Sequence, residues 1–224
     1  MGLNKQKGDM YPWVDYTWNP IRGKCMHDCV YCYMKNLPWY KPENPVHLVK
    51  EELRTNLGRG RVIFVGSGCD MFAHDVRSKW IYWVLEHCRK FNDNSYLLQT
   101  KNPMRFKDFH VPDKTIYATT IESNRDYPDY SNAPSVNNRY IFMKQLKTNK
   151  PKIVSIEPVL DFDVDIFASW IEEIDPDFVS IGADSKHHGL PEPNAEKLAE
   201  LIVVLKDFTE VKIKKNLSRI KVEE

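Results

Sequence analysis

From residue 61 onward the chain alternates short apolar runs with stretches long enough for helices, and this alternation restricts the fold more than any other feature. Residues 61–65 (RVIFV) have the continuous apolar character of a strand buried on both faces of a parallel sheet. Residues 95–100, 115–121, 152–156 and 177–181 repeat that character and are rich in β-branched and aromatic side chains. The intervening patterns predict helices over 76–91, 136–146, about 163–174 and 194–208, with Pro103 opening a shorter one. Val46, Val49, Leu53 and Leu57 share one helical face, which predicts a further helix over 46–57, ended by Gly58 and Gly60. Residues 13–18 read as a first strand, stopped by Asn19-Pro20, and 211–213 as a last one. Strands separated by single helices imply right-handed crossovers and a parallel sheet. Six or seven such units are too few for a closed eight-unit barrel. The expected fold is therefore α/β: a partial (β/α)6-type TIM barrel of parallel strands, open on one side, forming a single domain over 1–224.

Composition narrows the setting. Lys plus Arg (32) nearly cancel Asp plus Glu (31), so net charge makes no case for nucleic-acid binding. Of five cysteines, an odd number, three fall within eight residues. That pattern suits metal ligation in a reducing compartment better than a disulfide framework. The first ten residues lack an apolar signal core, and no apolar run approaches membrane-spanning length. A cytoplasmic protein with no membrane partner is expected.

The cysteine-rich stretch is Cys25-Met-His-Asp-Cys29-Val-Tyr-Cys32-Tyr33, a C-x3-C-x2-C spacing with no fourth cysteine nearby. A structural zinc site uses four ligands, usually as two close pairs. Three soft thiolates instead suit an iron–sulfur cluster with one iron left open, as expected of a [4Fe-4S] centre that binds a further molecule. His27 and Asp28 could shape or tune that loop.

In parallel barrels chemistry gathers at the carboxyl ends of the strands. Here those ends read Gly66-Ser67-Gly68-Cys69-Asp70, Thr100-Lys101-Asn102, Thr120-Ile121-Glu122, Ile156-Glu157-Pro158 and Gly182-Ala183-Asp184. Glycines permit close backbone approach to a ligand, and a lysine can pair with a carboxylate. Lys212, Lys214 and Lys215 read as a solvated edge, and Cys88 as core. Trp13, Tyr16, Trp18, Trp39 and Tyr40 could stack on bases or plug the open side of the barrel.

The succession TWNP, C-x3-C-x2-C-Y, VGSGCDMF, QTKNP, TTIES, SIEPVL and IGADS resembles a largely phage-borne family of radical-SAM-like proteins, over nearly the whole chain. More weakly it resembles the spore photoproduct lyases, radical S-adenosylmethionine (SAM) enzymes that repair a thymine dimer. The resemblance implies that Cys25, Cys29 and Cys32 hold a [4Fe-4S] cluster whose open iron takes the amino and carboxylate groups of SAM. Reductive cleavage would then give a 5′-deoxyadenosyl radical that abstracts a substrate hydrogen. It implies that Tyr31 packs near the SAM adenine, that Tyr31 and Tyr33 relay a hydrogen atom, and that Lys101 meets the SAM carboxylate. Thr120 falls where the lyases carry a serine near SAM. Gly66, Ser67, Gly68, Glu122 and Glu157 would complete the cofactor site. Cys69 stands near the lyases' hydrogen-donating cysteine but directly before Asp70, out of their register. The implied partners are a reductant such as flavodoxin or ferredoxin and a nucleotide or DNA base as substrate. Two alternatives stay open: a zinc-stabilised nucleic-acid-binding protein with His27 or Cys69 as fourth ligand, and an iron–sulfur electron carrier.

Overall fold

The computed structural model describes residues 2–7 and 10–220. β1 (Asn4–Lys5) pairs antiparallel with β2 (Tyr16–Trp18). A small antiparallel pair follows, β3 (Ile21–Arg22) with β4 (His47–Leu48). The regular part then runs β5 (Val62–Val65), α1 (Ser78–Arg89), β6 (Ser95–Thr100), β7 (Thr115–Thr120), α2 (Val136–Gln145), β8 (Lys152–Ile156), α3 (Val164–Ile174), β9 (Phe178–Ile181), α4 (Ala195–Lys206) and β10 (Glu210–Ile213). The main sheet has the order β1-β2-β5-β6-β7-β8-β9-β10 and is parallel from β2 to β10. Its edge strands, β1 and β10, are not paired with each other, so the sheet does not close. Among the described residues no helix is long and apolar enough to cross a membrane.

The alternation of side chains along each strand separates two environments. Ile63, Val65, Tyr96, Leu98, Val154, Ile156 and Val179 face the helices. They pack there against Ile81, Val84 and Cys88 of α1, Phe167 and Ile171 of α3, and Leu198, Leu201 and Leu205 of α4. Phe64, Leu97, Ala118 and Ile153 face the other way and form a second, smaller apolar cluster with Tyr11 and Val14. Two residues farther along these strands the inward positions turn polar: Gln99 after Leu97, Thr120 after Ala118, Ser155 after Ile153, and Ser180 after Phe178. The inner face is therefore dry at its base and hydrogen-bonding at its carboxyl end.

The segment between β1 and β2 covers that base. Tyr11 stacks on Trp13 with ring centroids 5.3 Å apart, and Trp13 meets Phe178 edge-on at 5.5 Å. Of the early aromatics, Tyr11 and Trp13 thus plug the interior, while Trp18 is wholly buried on the helix side. Tyr16 lies under the Arg61 guanidinium, and Trp39 is exposed.

The expected helix over 46–57 does not form. His47–Leu48 pairs with β3, and Lys50–Arg54 makes only a short 3-10 turn. The reason is Glu52, which is fully buried and accepts from Trp18 Nε1 at 3.1 Å, Arg22 at 2.7 Å and Thr55 Oγ1 at 3.0 Å. A buried carboxylate must be hydrogen-bonded, and here donors from β2, β3 and its own turn outweigh the local helical spacing. The other expected elements are present, with ends shifted by at most three residues.

A candidate active site at the strand ends

The cysteine loop runs over the carboxyl end of the sheet and is pinned from the far side by residues 130–132. Val30 N donates to Tyr130 O (2.8 Å), Asn132 N to His27 O (2.7 Å), and Cys29 Sγ lies 3.1 Å from Ser131 Oγ. Asp28 turns the chain between Cys25 and Cys29 in the left-handed region (φ 44°), held by Lys24 at 3.3 Å and Lys35 at 2.7 Å. Below the loop lies a cavity of about 560 Å³. Cys25, Cys29 and Cys32 all line it, as do Tyr31, Tyr33, Gly66, Ser67, Gly68, Cys69, Lys101, Thr120 and Glu157. The fold thus brings around one cavity residues that the sequence holds up to 132 positions apart, the span from Cys25 to Glu157.

None of the five cysteines is in a disulfide. The Cys69 thiol hydrogen-bonds Cys25 and brings the Cys25 pKa down to about 7, whereas burial pushes Cys32 up. The same contact, together with burial, drives Cys69 far upward, so it stays a thiol. Among the described residues no three His, Cys, Asp or Glu side chains gather closely enough to hold a single metal ion. As placed, the thiols form no preassembled cage. Their chemistry, three soft donors in one loop opening on one cavity, still fits an iron–sulfur cluster ligated at three corners.

The turn after β5 is built for close approach. Gly66 sits at φ +80°, and a Cβ there would lie 3.1 Å from Cys69 O. Asn19 Oδ1 accepts from Gly68 N at 2.8 Å and from Ser67 Oγ at 3.2 Å, while Tyr33 OH donates to Ser67 O at 2.9 Å. The turn ends on Asp70, which binds β5, β6 and the cysteine loop together. Its carboxylate accepts from Thr100 Oγ1 (2.8 Å), Lys101 N (2.8 Å) and Phe72 N (2.9 Å), and faces His27 Nε2 at 3.0 Å. Burial alone would raise the Asp70 pKa; His27 and these donors outweigh it and hold it below the usual range. Burial disfavours charge on His27 as well, yet Asp70 raises it on balance. The pairing favours the protonated form of the His27 ring beside an ionised Asp70. Asp70→Ala strands these donors and is expected to cost about 3–5 kcal/mol, read as a lowered urea midpoint. A loss below about 1 kcal/mol would show that the loop does not depend on this anchor.

Glu122, expected in the cofactor site, lies behind Tyr31 and lines an adjoining cavity of about 280 Å³ instead. Both its oxygens are engaged: Tyr31 OH donates to it at 2.5 Å, Arg139 at 2.6 Å, and Lys101 Nζ also donates. The reason is charge balance, since Arg139 is buried and needs a counterion. Lys101 is therefore held at the cavity wall with its ammonium over the Tyr31 ring, 5.3 Å from the centroid. Tyr31 spends its hydroxyl on Glu122, and burial together with that charge pushes its pKa well up.

The opposite wall holds residues that sequence reasoning missed. Lys214, expected on a solvated edge, pairs with Glu157 Oε2 at 2.6 Å and sits 4.4 Å from the centre of the Tyr11 ring. Ser180 Oγ donates to Glu157 Oε1 at 2.6 Å. Tyr11 OH donates to Gln99 Oε1 at 3.0 Å, and Gln99 Nε2 to Thr120 Oγ1 at 3.1 Å. The available signal was the period-two switch from apolar to polar along each strand. It points inward only once the sheet curvature is known.

The family profile described as "Protein of unknown function (DUF5131)" matches residues 10–189. A search of curated proteins finds no match. Solved structures of spore photoproduct lyase are similar. A cysteine-to-serine mutant shares 12% identity at a TM-score of 0.65, covering 94% of this chain and 79% of that one. The lyase complexed with dinucleoside spore photoproduct shares 11% at 0.64, covering 93% and 78%. A double mutant with bound AdoMet and dinucleoside spore photoproduct shares 12% at 0.59, covering 91% and 64%. At such identity the likeness establishes the fold, an open, mostly parallel partial barrel. The match across most of its length places this chain in the DUF5131 family.

Proposed function

We propose that this chain is a radical SAM enzyme acting on a nucleotide-like substrate. The observation that carries the reading is the meeting of Cys25, Cys29 and Cys32 with the strand-end groups on one cavity. A fold neighbour solved with AdoMet and a dinucleoside supports the cofactor and the substrate class. In this reading Cys25, Cys29 and Cys32 hold a [4Fe-4S] cluster. Such a cluster, reduced by a protein such as flavodoxin or ferredoxin, supplies the electron that cleaves the sulfonium of SAM.

The chain's own residues bind and orient. The Gly66–Gly68 turn lets backbone approach the polar end of SAM, and Lys101 offers it an ammonium at the wall. Glu122 is a positioning residue: it fixes Lys101 and Tyr31, with Arg139 balancing its charge. Tyr31 and Tyr33 flank the cavity with their rings, while their hydroxyls are held by Glu122 and Ser67 O. Cys69, buried beside Cys25 with its pKa pushed upward, is held as a thiol and is suited to give a hydrogen atom. Thr120 and Glu157 complete the wall. The zinc and electron-carrier alternatives gain nothing from the geometry: His27 is committed to Asp70, and a cavity of this size has no use in a closed carrier.

The test is to reconstitute the protein anaerobically, reduce it and add SAM. Release of 5′-deoxyadenosine and methionine is expected. Recovery of one zinc with no acid-labile sulfide would overturn the assignment.

A further inference from the structure

Two sulfurs from different loops meet at the cavity. Cys25, in the loop after β3, and Cys69, in the turn after β5, both line it, and their thiols are in hydrogen-bond contact. Contacts on either side clamp the segments that carry them. Asp75 N donates to Met26 Sδ at 3.3 Å, and His27 Nε2 faces Asp70 Oδ2 at 3.0 Å. The other loop thiols have other neighbours: Cys29 Sγ lies 3.1 Å from Ser131 Oγ, and Cys32 takes a backbone hydrogen bond from Met34.

Neither Cys25 nor Cys69 lies in a helix or strand, so small backbone shifts can bring their sulfurs to bonding distance. The two differ in access. Cys25 is half-buried, whereas Cys69 is only 3% exposed. An oxidant entering the cavity therefore meets Cys25 first, with a second thiol behind it. An accessible thiol beside a resolving one is the arrangement of redox-sensing cysteines.

We propose that Cys25 and Cys69 join in a reversible disulfide when the chain meets hydrogen peroxide before its cluster is in place. Cys25 Sγ attacks the peroxide, the O–O bond breaks, and Cys25 becomes a sulfenic acid as water leaves with the thiol proton. Cys69 Sγ then displaces the hydroxyl, which leaves as a second water with the Cys69 proton. The sulfurs lose one electron pair and the peroxide takes it. The bond itself is independent of the radical SAM reading, but its consequence rests on that reading. It withdraws a cluster ligand and the hydrogen-atom donor together, and it shields Cys25 from the irreversible sulfinic state. A thiol reductant restores both groups.

The test treats the full-length chain, before reconstitution, with one equivalent of hydrogen peroxide. Remaining thiols are blocked with N-ethylmaleimide in denaturant, and the chain is digested with trypsin without reduction. Mass spectrometry is expected to find peptides 25–35 and 62–77 joined, with fragmentation placing the link on Cys25 and the blocking group on Cys29 and Cys32. Iron uptake by the treated chain should be lost and should return with dithiothreitol. Under excess peroxide Cys69→Ala should lose that recovery, because Cys25 then runs on to the sulfinic acid. A link from Cys25 to Cys29 or Cys32 instead, Cys69 found fully alkylated, or equal recovery in Cys69→Ala and the unaltered chain overturns the assignment. Failure of the untreated chain to take up iron would overturn the cluster reading and leave the cross-link standing.

Discussion

Replacing Cys25, Cys29 and Cys32 together with alanine abolishes iron and acid-labile sulfide in the reconstituted protein, and with them all SAM cleavage. The loss is complete because an iron–sulfur cluster is held by its thiolates, and the chain offers no substitute set at this wall. Cys69 is the nearest candidate, but it is buried and a single thiol cannot replace three, and His27 is bound to Asp70. The fold should survive. Cys25 and Cys32 are only half-buried, and the loop is fastened mainly by backbone bonds to residues 130–132. Far-ultraviolet circular dichroism is therefore expected to match that of the unaltered chain. Iron and sulfide retained by the triple variant would show that the cluster site lies elsewhere.

Glu122→Ala is expected to destabilise the fold as strongly as Asp70→Ala. It removes one carboxylate that satisfies three donors and leaves Lys101 and Arg139, whose side chains are only 14% and 4% exposed, without a counterion. Breaking a buried pair by deleting one partner costs about 3–5 kcal/mol, which urea unfolding resolves easily. The same node sets an acid dependence. Burial would raise the Glu122 pKa from its ordinary 4.5, but Arg139 and Lys101 outweigh burial and hold it at about 2. A carboxyl with a depressed folded-state pKa binds its proton more readily when unfolded. Its contribution is thus fully present above about pH 4.5 and is lost as pH falls from there toward about 2. Glu122→Gln should flatten that part of the stability profile and weaken SAM binding, because Lys101 is no longer held in place. An unchanged acid limb in Glu122→Gln would mean that other carboxylates dominate it.

The positions of the cysteines and of the strand ends were legible in the chain because each depends on local pattern. C-x3-C-x2-C is contiguous, and the runs at 95–100, 115–121 and 152–156 are strands in the structure nearly as read. Segment 46–57 was not legible, because its helical spacing lost to Glu52, whose partners Trp18 and Arg22 lie on distant strands. Lys214 was misread for a related cause: its partner Glu157 is 57 residues away in the chain, and only the sheet brings them within 2.6 Å.

The sequence by itself determined the repeating strand–helix order, the three thiols and the set of strand-end groups, since periodicity and spacing act over a few residues. Only the tertiary structure decided which of those groups share a cavity. Pairing in register set Thr120 beside Ser155, and the competition among buried charges withdrew Glu122 from the wall and gave it to Arg139 and Lys101. Register and burial are properties of the assembled sheet, where desolvation makes each unpartnered polar group costly, and no local pattern encodes them.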